Sequence, residues 1–248
     1  MANTGRKGGG RAGRGTPQRR SSRTWFFALL GAIIVIGIGA LVYVTTHPTA
    51  DPAARSAGPP LPPGSAKGYP LGNPQAPVHI VEFADYECPA CANYSVVTEP
   101  DVRSRIVDSG FANVTYFDFP LPMHKNTWWA SHAAACAADQ GKFWEMHDRI
   151  FAGQSDWNGL VTDDPVPILE GYAKGLGLNV GTWHSCVTNR VHQRDIEASK
   201  AEAERRHVQQ TPTFYVGDRV FAGSVPYDQI RGAVDSARRA VPAGAHTP

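Results

Sequence analysis

The sequence predicts an α/β domain, ordered β-α-β, helical block, β-β-α, behind a single N-terminal transmembrane helix. Three features carry this expectation. Trp25 to Val44 are twenty consecutive positions without a charged or strongly polar side chain. Val78-His79-Ile80-Val81-Glu82-Phe83-Ala84 is β-branched and apolar, and hands over to a helical pattern at Pro89. Thr213–Val216 and Arg219–Ala222 are short strand-like runs on either side of Gly217-Asp218, a two-residue hairpin signal.

From the N-terminus, residues 1–24 carry seven basic side chains (Arg6, Lys7, Arg11, Arg14, Arg19, Arg20, Arg23) and no acidic one. Such a stretch buries too little apolar surface to fold and is expected to be disordered. As a helix, residues 25–44 span about 30 Å, the depth of a bilayer's hydrocarbon core. Trp25 and Tyr43 lie near its ends, where amphipathic rings favour the membrane interface. A buried core helix is disfavoured, because the run is apolar all round and no folded partner precedes it. A cleaved signal peptide is the stronger alternative, but its apolar region is normally about 7–15 residues, and Thr45 to Ala50 is a weak cleavage match. With the positive charges all ahead of the span, the tail is expected in the cytoplasm and everything beyond Val44 outside it. Taking those seven from the 24 Lys and Arg leaves 17 against 22 acids, a net −5 for residues 25–248. That mildly acidic part gives no electrostatic case for nucleic acid; the partner that residues 25–44 imply is the lipid bilayer.

Residues 45–75 are dense in Pro, Gly and Ala, including Gly58-Pro59-Pro60-Leu61-Pro62-Pro63-Gly64, and read as a semi-extended linker. The folded domain is expected over residues 76–241, with 242–248 a disordered tail. After the first strand come a helix from about Pro89 to Val107 and a strand at Ala112–Phe119. A helical insertion follows at about 125–207, interrupted at Gly141, Gly153 and Gly181 and by the loop Asp163-Asp164-Pro165. A last amphipathic helix runs from about Tyr227 to Arg239.

The chemistry is expected at Cys88-Pro89-Ala90-Cys91, where the first strand passes into the first helix. Proline suits the first helical position, since its missing N–H would have no partner there. Cys88 then sits at the helix N-terminus, where free amides and the helix dipole favour a thiolate. Three residues on, Cys91 falls on the same helix face. The pair can close a small disulfide whose opening releases a stabilised thiolate, which makes it an oxidant of other thiols. The bland alternatives fare worse. A four-cysteine zinc site needs a second close pair, which the chain lacks, and a structural bridge over two residues constrains little loop entropy.

The chain resembles the DsbA-like branch of the thioredoxin superfamily. The resemblance runs from about Ala76 to Ala240 and rests on Glu82-Phe83 and Tyr86 leading into the Cys-Pro-Ala-Cys run, on Gly141-Lys142-Phe143-Trp144, and on Thr211-Pro212-Thr213-Phe214. It implies a thioredoxin-like fold with an inserted helical domain. Cys88 would be the exposed nucleophile, Cys91 its buried resolving partner, and Pro212 a cis-proline facing them where a substrate strand docks. It also implies that Glu82, a carboxyl inside an apolar strand, manages the resolving thiol's proton; a raised pKa would suit that role. The alternative is a glutamate turned to solvent from a strand edge. No cofactor and no resident metal are implied. The partners implied are exported proteins with free thiols and a quinone-linked integral-membrane oxidase.

Two departures bear on direction. Pro89-Ala90 lacks the histidine of the most oxidising members, and Thr211 stands before the proline where an apolar β-branched residue is common. Cys136 and Cys186 are expected to pair as a structural disulfide in an oxidising compartment. Free buried thiols remain an alternative, as does a metal pair of Cys136 with His132 at i,i+4. The reading is an extracytoplasmic dithiol oxidase. Its rivals are a reductase or isomerase of the same fold, and a non-catalytic metal-binding or chaperone-like module.

Overall fold

The computed structural model describes residues 22–46 and 64–240, which belong to two units, residues 1–57 and 58–248. The basic tail up to residue 21, the linker's middle (47–63) and the tail from 241 onward lie outside the described residues. In the first unit, helix α1 spans Ser22–Thr46. Its described side chains, residues 25–40 and Tyr43, are all exposed. Among the described residues no helix is long and apolar enough to cross a membrane.

The second unit is built on a five-stranded sheet of order β1-β3-β2-β4-β5. The strands are β1 (Tyr69–Leu71), β2 (Val78–Ala84), β3 (Ala112–Asp118), β4 (Thr213–Val216) and β5 (Arg219–Ala222). The central pair β2 and β3 is parallel, joined through the crossover helix α2 over residues 89–107, and the remaining pairings are antiparallel. Two turns of α2, Tyr94–Thr98 and Arg103–Val107, are wound more widely than an α-helix, in π-type turns. The helical block comprises α3 (Thr127–Ala138), α4 (Phe143–Ala152), α5 (Gln154–Trp157), α6 (Val166–Gly175), α7 (Val180–Thr188) and α8 (Gln193–Arg205), and α9 (Tyr227–Ala240) closes the unit.

The α/β fold with a helical insertion is as expected, but the boundary at residue 76 is corrected. β1 lies inside the expected linker and pairs with β3, Tyr69 opposite Tyr116. A three-residue strand centred on Pro70 offers no alternation to read, and proline is tolerated there because β1 is a sheet edge. Its attachment is tertiary: Tyr69 stacks on Phe143 at 3.7 Å, and Trp144 Nε1 donates to the Pro70 carbonyl at 2.9 Å. Gly68 at φ +58° leads in, where a Cβ would come within 2.5 Å of the Thr115 methyl.

Side chains alternate across β2 and sort the core. Val78 and Ile80 pack with Val102, Ile106, Ile230 and Val234 of α2 and α9. Phe83, on the opposite face, joins Phe117, Phe119 and Ala203 beneath α8. A larger cluster of Tyr86, Tyr116, Met146, Phe151, Trp157 and Trp183 fills the helical block and reaches Cys88 and Cys91. The active-site end of α2 therefore rests on packed aromatic rings.

Candidate active site

β2 ends at Ala84, and the turn Asp85-Tyr86-Glu87 delivers Cys88 to the start of α2. Cys88 is the helix N-cap, with extended backbone (φ −72°, ψ 122°), and Pro89 follows at the first helical position. Its N–H donates to the Asp85 carbonyl at 3.1 Å, and its carbonyl accepts the first helical bond from Ala92 at 3.1 Å. Gln154 Nε2 clamps the turn from the insertion, donating to the carbonyls of Tyr86 at 2.7 Å and Cys88 at 3.0 Å.

Cys88 and Cys91 are free thiols. The expected exposed nucleophile is corrected: Cys88 is 8% exposed and Cys91 1%, because the loop before β4 closes over the pair. Cys88 Sγ approaches the Thr211 carbonyl at 3.4 Å, and the Thr211–Pro212 peptide bond is cis. Cys88 nonetheless remains the more accessible sulfur. Its pKa is drawn from 9.0 down to about 5, first by the hydrogen bond from the Cys91 thiol. Burial opposes this, while the Thr211 side chain and the N–H groups of Cys91 and Ala90 support it. Burial pushes Cys91 well above 9.0, and the bond to Cys88 and the charge of Cys88 add to the rise. The two sulfurs are thus opposed, one held as thiolate and the other as thiol. Thr211 Oγ1 is buried without a hydrogen-bond partner, yet its side chain favours the anionic form of both sulfurs.

Glu82 is 2% exposed, which overturns the alternative of a solvent-facing strand-edge glutamate. On β2 it lies between Tyr116 of β3 and Phe214 of β4. Burial holds its carboxyl well above the ordinary range, Glu99 adds to this, and Arg103 pulls the other way. Arg103 in turn bridges Glu99 at 2.7 Å and Asp148 at 2.7 Å. Arg103 thus ties the buried Glu99 to Asp148, which is half exposed.

Cys136 and Cys186 are joined as a disulfide between α3 and α7. His132 does not share a site with Cys136. Its Nε2 meets Gln193 Oε1 at 3.1 Å, and burial lowers its pKa to about 4, so the ring is neutral core.

Sequence reasoning missed the carboxylates that brace the turn. Asp85 is 1% exposed. It accepts hydrogen bonds from the Glu87 N–H at 2.7 Å, the Leu121 N–H at 2.7 Å and Thr127 Oγ1 at 2.6 Å, and it meets His124 Nδ1 at 2.8 Å. That contact with Asp85 raises the pKa of His124. Glu87 accepts from the Asn126 and Gly159 N–H groups, both at 2.6 Å. A Cβ on Gly159 would stand 2.8 Å from that carboxylate, so the approach needs glycine. Asp118, at the end of β3 opposite Ala84, is raised to about 7 by burial, with Asp85 contributing. The one available signal was three acids, Glu82, Asp85 and Glu87, inside an otherwise apolar approach to Cys88.

Comparisons with known proteins agree with this geometry. A match to the thioredoxin family (described as Thioredoxin) covers residues 65–236. Disulfide bond formation protein D of Bacillus subtilis is 27% identical over 184 residues, covering 69% of this chain and 78% of that protein. A Na(+)/H(+) antiporter NhaA 1 of Salinispora arenicola is 36% identical over 169 residues, which are 67% of this chain but 24% of the antiporter. The chain thus spans about a quarter of that relative's length. The crystal structure of Chlamydia trachomatis DsbA superposes with a TM-score of 0.65 at 19% identity, covering 75% of this chain and all of that one. The chain belongs to the thioredoxin family, and within it resembles the DsbA-like thiol–disulfide oxidoreductases.

Proposed function

We propose that this protein is an extracytoplasmic dithiol oxidase that introduces disulfides into exported proteins through Cys88 and Cys91. The observation that carries the reading is the asymmetry of the two sulfurs. In the oxidised enzyme a substrate thiolate attacks Cys88 Sγ; the Cys88–Cys91 bond breaks, and Cys91 leaves and takes up a proton. A second substrate thiolate attacks the substrate sulfur of the mixed disulfide and expels Cys88. The substrate has then lost two electrons, and the enzyme holds them as a Cys88 thiolate and a Cys91 thiol. A thiolate stabilised this far is a good leaving group, so the reduced enzyme is favoured and the disulfide is oxidising. The Thr211-Pro212 loop receives the substrate strand beside Cys88, and Pro89-Ala90 sets the helix start. The raised carboxyl of Glu82 supplies or removes the Cys91 proton. A quinone-linked integral-membrane oxidase takes the two electrons back.

Residues 25–44 anchor the chain with the basic tail inside, a reading supported by twenty uncharged positions behind seven positive charges. Protease added to intact cells then reaches residues beyond Val44 and spares the tail. A mature N-terminus near Ala50 would show cleavage instead.

The function is tested by mixing the oxidised chain with a reduced, unfolded protein bearing two thiols. One substrate disulfide should form per chain, and none with Cys88→Ser. Equilibration with glutathione should place the pair at or above about −180 mV. A value near thioredoxin's, about −270 mV, would make the protein a reductase.

A further inference from the structure

The Cys136–Cys186 bridge gathers more chemistry than a crosslink needs. Asp139 lies one residue beyond α3 and His192 one residue before α8. Both cysteine sulfurs and a His192 ring nitrogen lie within 4.8 Å of one another. His192 Nε2 meets Asp139 Oδ2 at 2.9 Å, and that same oxygen is 3.7 Å from Cys186 Sγ. The other ring nitrogen, Nδ1, meets Asp195 Oδ2 at 3.0 Å.

We propose that reduction of this disulfide creates a zinc site, with ligands from the Cys136 and Cys186 thiolates, His192 Nε2 and the Asp139 carboxylate. Thiolate, imidazole and carboxylate are zinc's usual donors. Zinc–sulfur bonds of about 2.3 Å and zinc–nitrogen or –oxygen bonds of about 2.0 Å set tetrahedral ligand atoms roughly 3.3–3.8 Å apart. The Asp139 Oδ2 distances of 2.9 Å to His192 Nε2 and 3.7 Å to Cys186 Sγ lie near that spacing, and reduction frees the two sulfurs to move apart. Asp195 on Nδ1 supplies the carboxylate–histidine pairing that fixes a ligating ring. A cavity of about 210 Å³ lined by Asp139, His192, Asp195 and Lys67 adjoins the cluster and gives the ion a way in. While the sulfurs are bonded to each other they carry no thiolate charge, so the oxidised form lacks the two strongest ligands.

The electrons balance through a dithiol reductant. One of its thiolates attacks a sulfur of the bridge and releases the other cysteine. Its second thiolate closes on the first, leaving the reductant a disulfide and both cysteines reduced. Zinc then displaces the two thiol protons, and the proton shared by His192 and Asp139, into solvent. The site would report reducing conditions independently of Cys88.

The test uses the detergent-solubilised full chain with Cys88→Ser and Cys91→Ser, which removes the other dithiol. The chain is reduced with a dithiol, desalted without oxygen and titrated with zinc. One zinc per chain should bind, at least a hundredfold tighter than in the oxidised chain. His192→Ala should weaken binding at least tenfold and Asp195→Asn roughly tenfold to a hundredfold. Cobalt in place of zinc should show thiolate-to-metal charge transfer. If the reduced apo-chain loses structure, zinc should restore it, since binding then carries folding free energy. Reduced protein that binds no more zinc than oxidised, binding untouched by His192→Ala, or structure that zinc fails to restore would each overturn the proposal.

Discussion

Replacing Cys91 by alanine should release Cys88 from its low pKa, while replacing it by serine should not. The Cys91 thiol is the first cause of the fall of Cys88 to about 5. Alanine removes that donor, and serine keeps an O–H in its place. A hydrogen bond to a charged group contributes about 1.5–3 kcal/mol, and one pKa unit corresponds to about 1.4 kcal/mol. Cys91→Ala should therefore raise Cys88 by roughly one to two units, to about 6–7. Burial then has less opposition, so the shift should lie toward the upper end. At pH 5.5 the thiolate fraction falls from about three-quarters to about a quarter or less, by the titration curve those values imply. The assay is the rate of iodoacetamide alkylation against pH, which reads the thiolate directly. Cys91→Ser should titrate within about half a unit of the unmutated chain. A Cys88 pKa unmoved in Cys91→Ala would refute the assignment of Cys91 as donor and leave the helix amides as the cause.

Thr211→Val removes a side chain that favours the Cys88 anion, so the Cys88 pKa should rise and the pair should become less oxidising, read as a lower potential against glutathione. The depressed Cys88 value stabilises the reduced fold fully above pH 9.0 and loses that contribution as pH falls through about 5. The melting temperature of the reduced chain relative to the oxidised chain should accordingly fall between pH 9 and pH 5. Asp118 is raised from 3.8 to about 7, so the fold is penalised progressively as pH rises through that window and fully above it. Asp118→Asn should gain melting temperature over the unmutated chain at pH 8 and gain little at pH 4; equal gains at both would show that charge burial is not the cause. Replacing Cys136 and Cys186 with alanine opens a crosslink across a separation of 50 residues, worth about 4 kcal/mol in the chain-entropy model. Urea unfolding should show a loss of that order, with thiol exchange at Cys88 intact.

What was legible from sequence is local. The first strand reads from its β-branched run, the helix start from proline at its first position, and the hairpin from Gly217-Asp218, because each signal lies within a few residues. β1 was illegible because three residues around Pro70 carry no period, and only Tyr69 on Phe143 and Trp144 on the Pro70 carbonyl hold them. The two wide turns of α2 were equally hidden, since their side chains keep a helical apolar pattern. At the site, the spacing of Cys88 and Cys91 stood out, whereas the closure that buries Cys88 depends on Thr211, 123 residues away. Nothing local beyond their place before Cys88 marks Asp85 and Glu87, whose partners Leu121, Thr127, Asn126 and Gly159 are distant in sequence. Asp118 carried no local signal, since its buried carboxyl meets Ser131 of the helical insertion.

Trapping of a mixed disulfide separates an attacking Cys88 from a resolving Cys91. Cys91→Ser and Cys88→Ser chains are each incubated with an oxidised substrate protein, quenched with acid, and resolved without reductant. A mixed disulfide is expected with Cys91→Ser, mapped to Cys88 by mass spectrometry, and little or none with Cys88→Ser. Equal trapping through either cysteine would contradict these roles, because a thiol held well above 9.0 and 1% exposed should not compete with a thiolate formed at about 5.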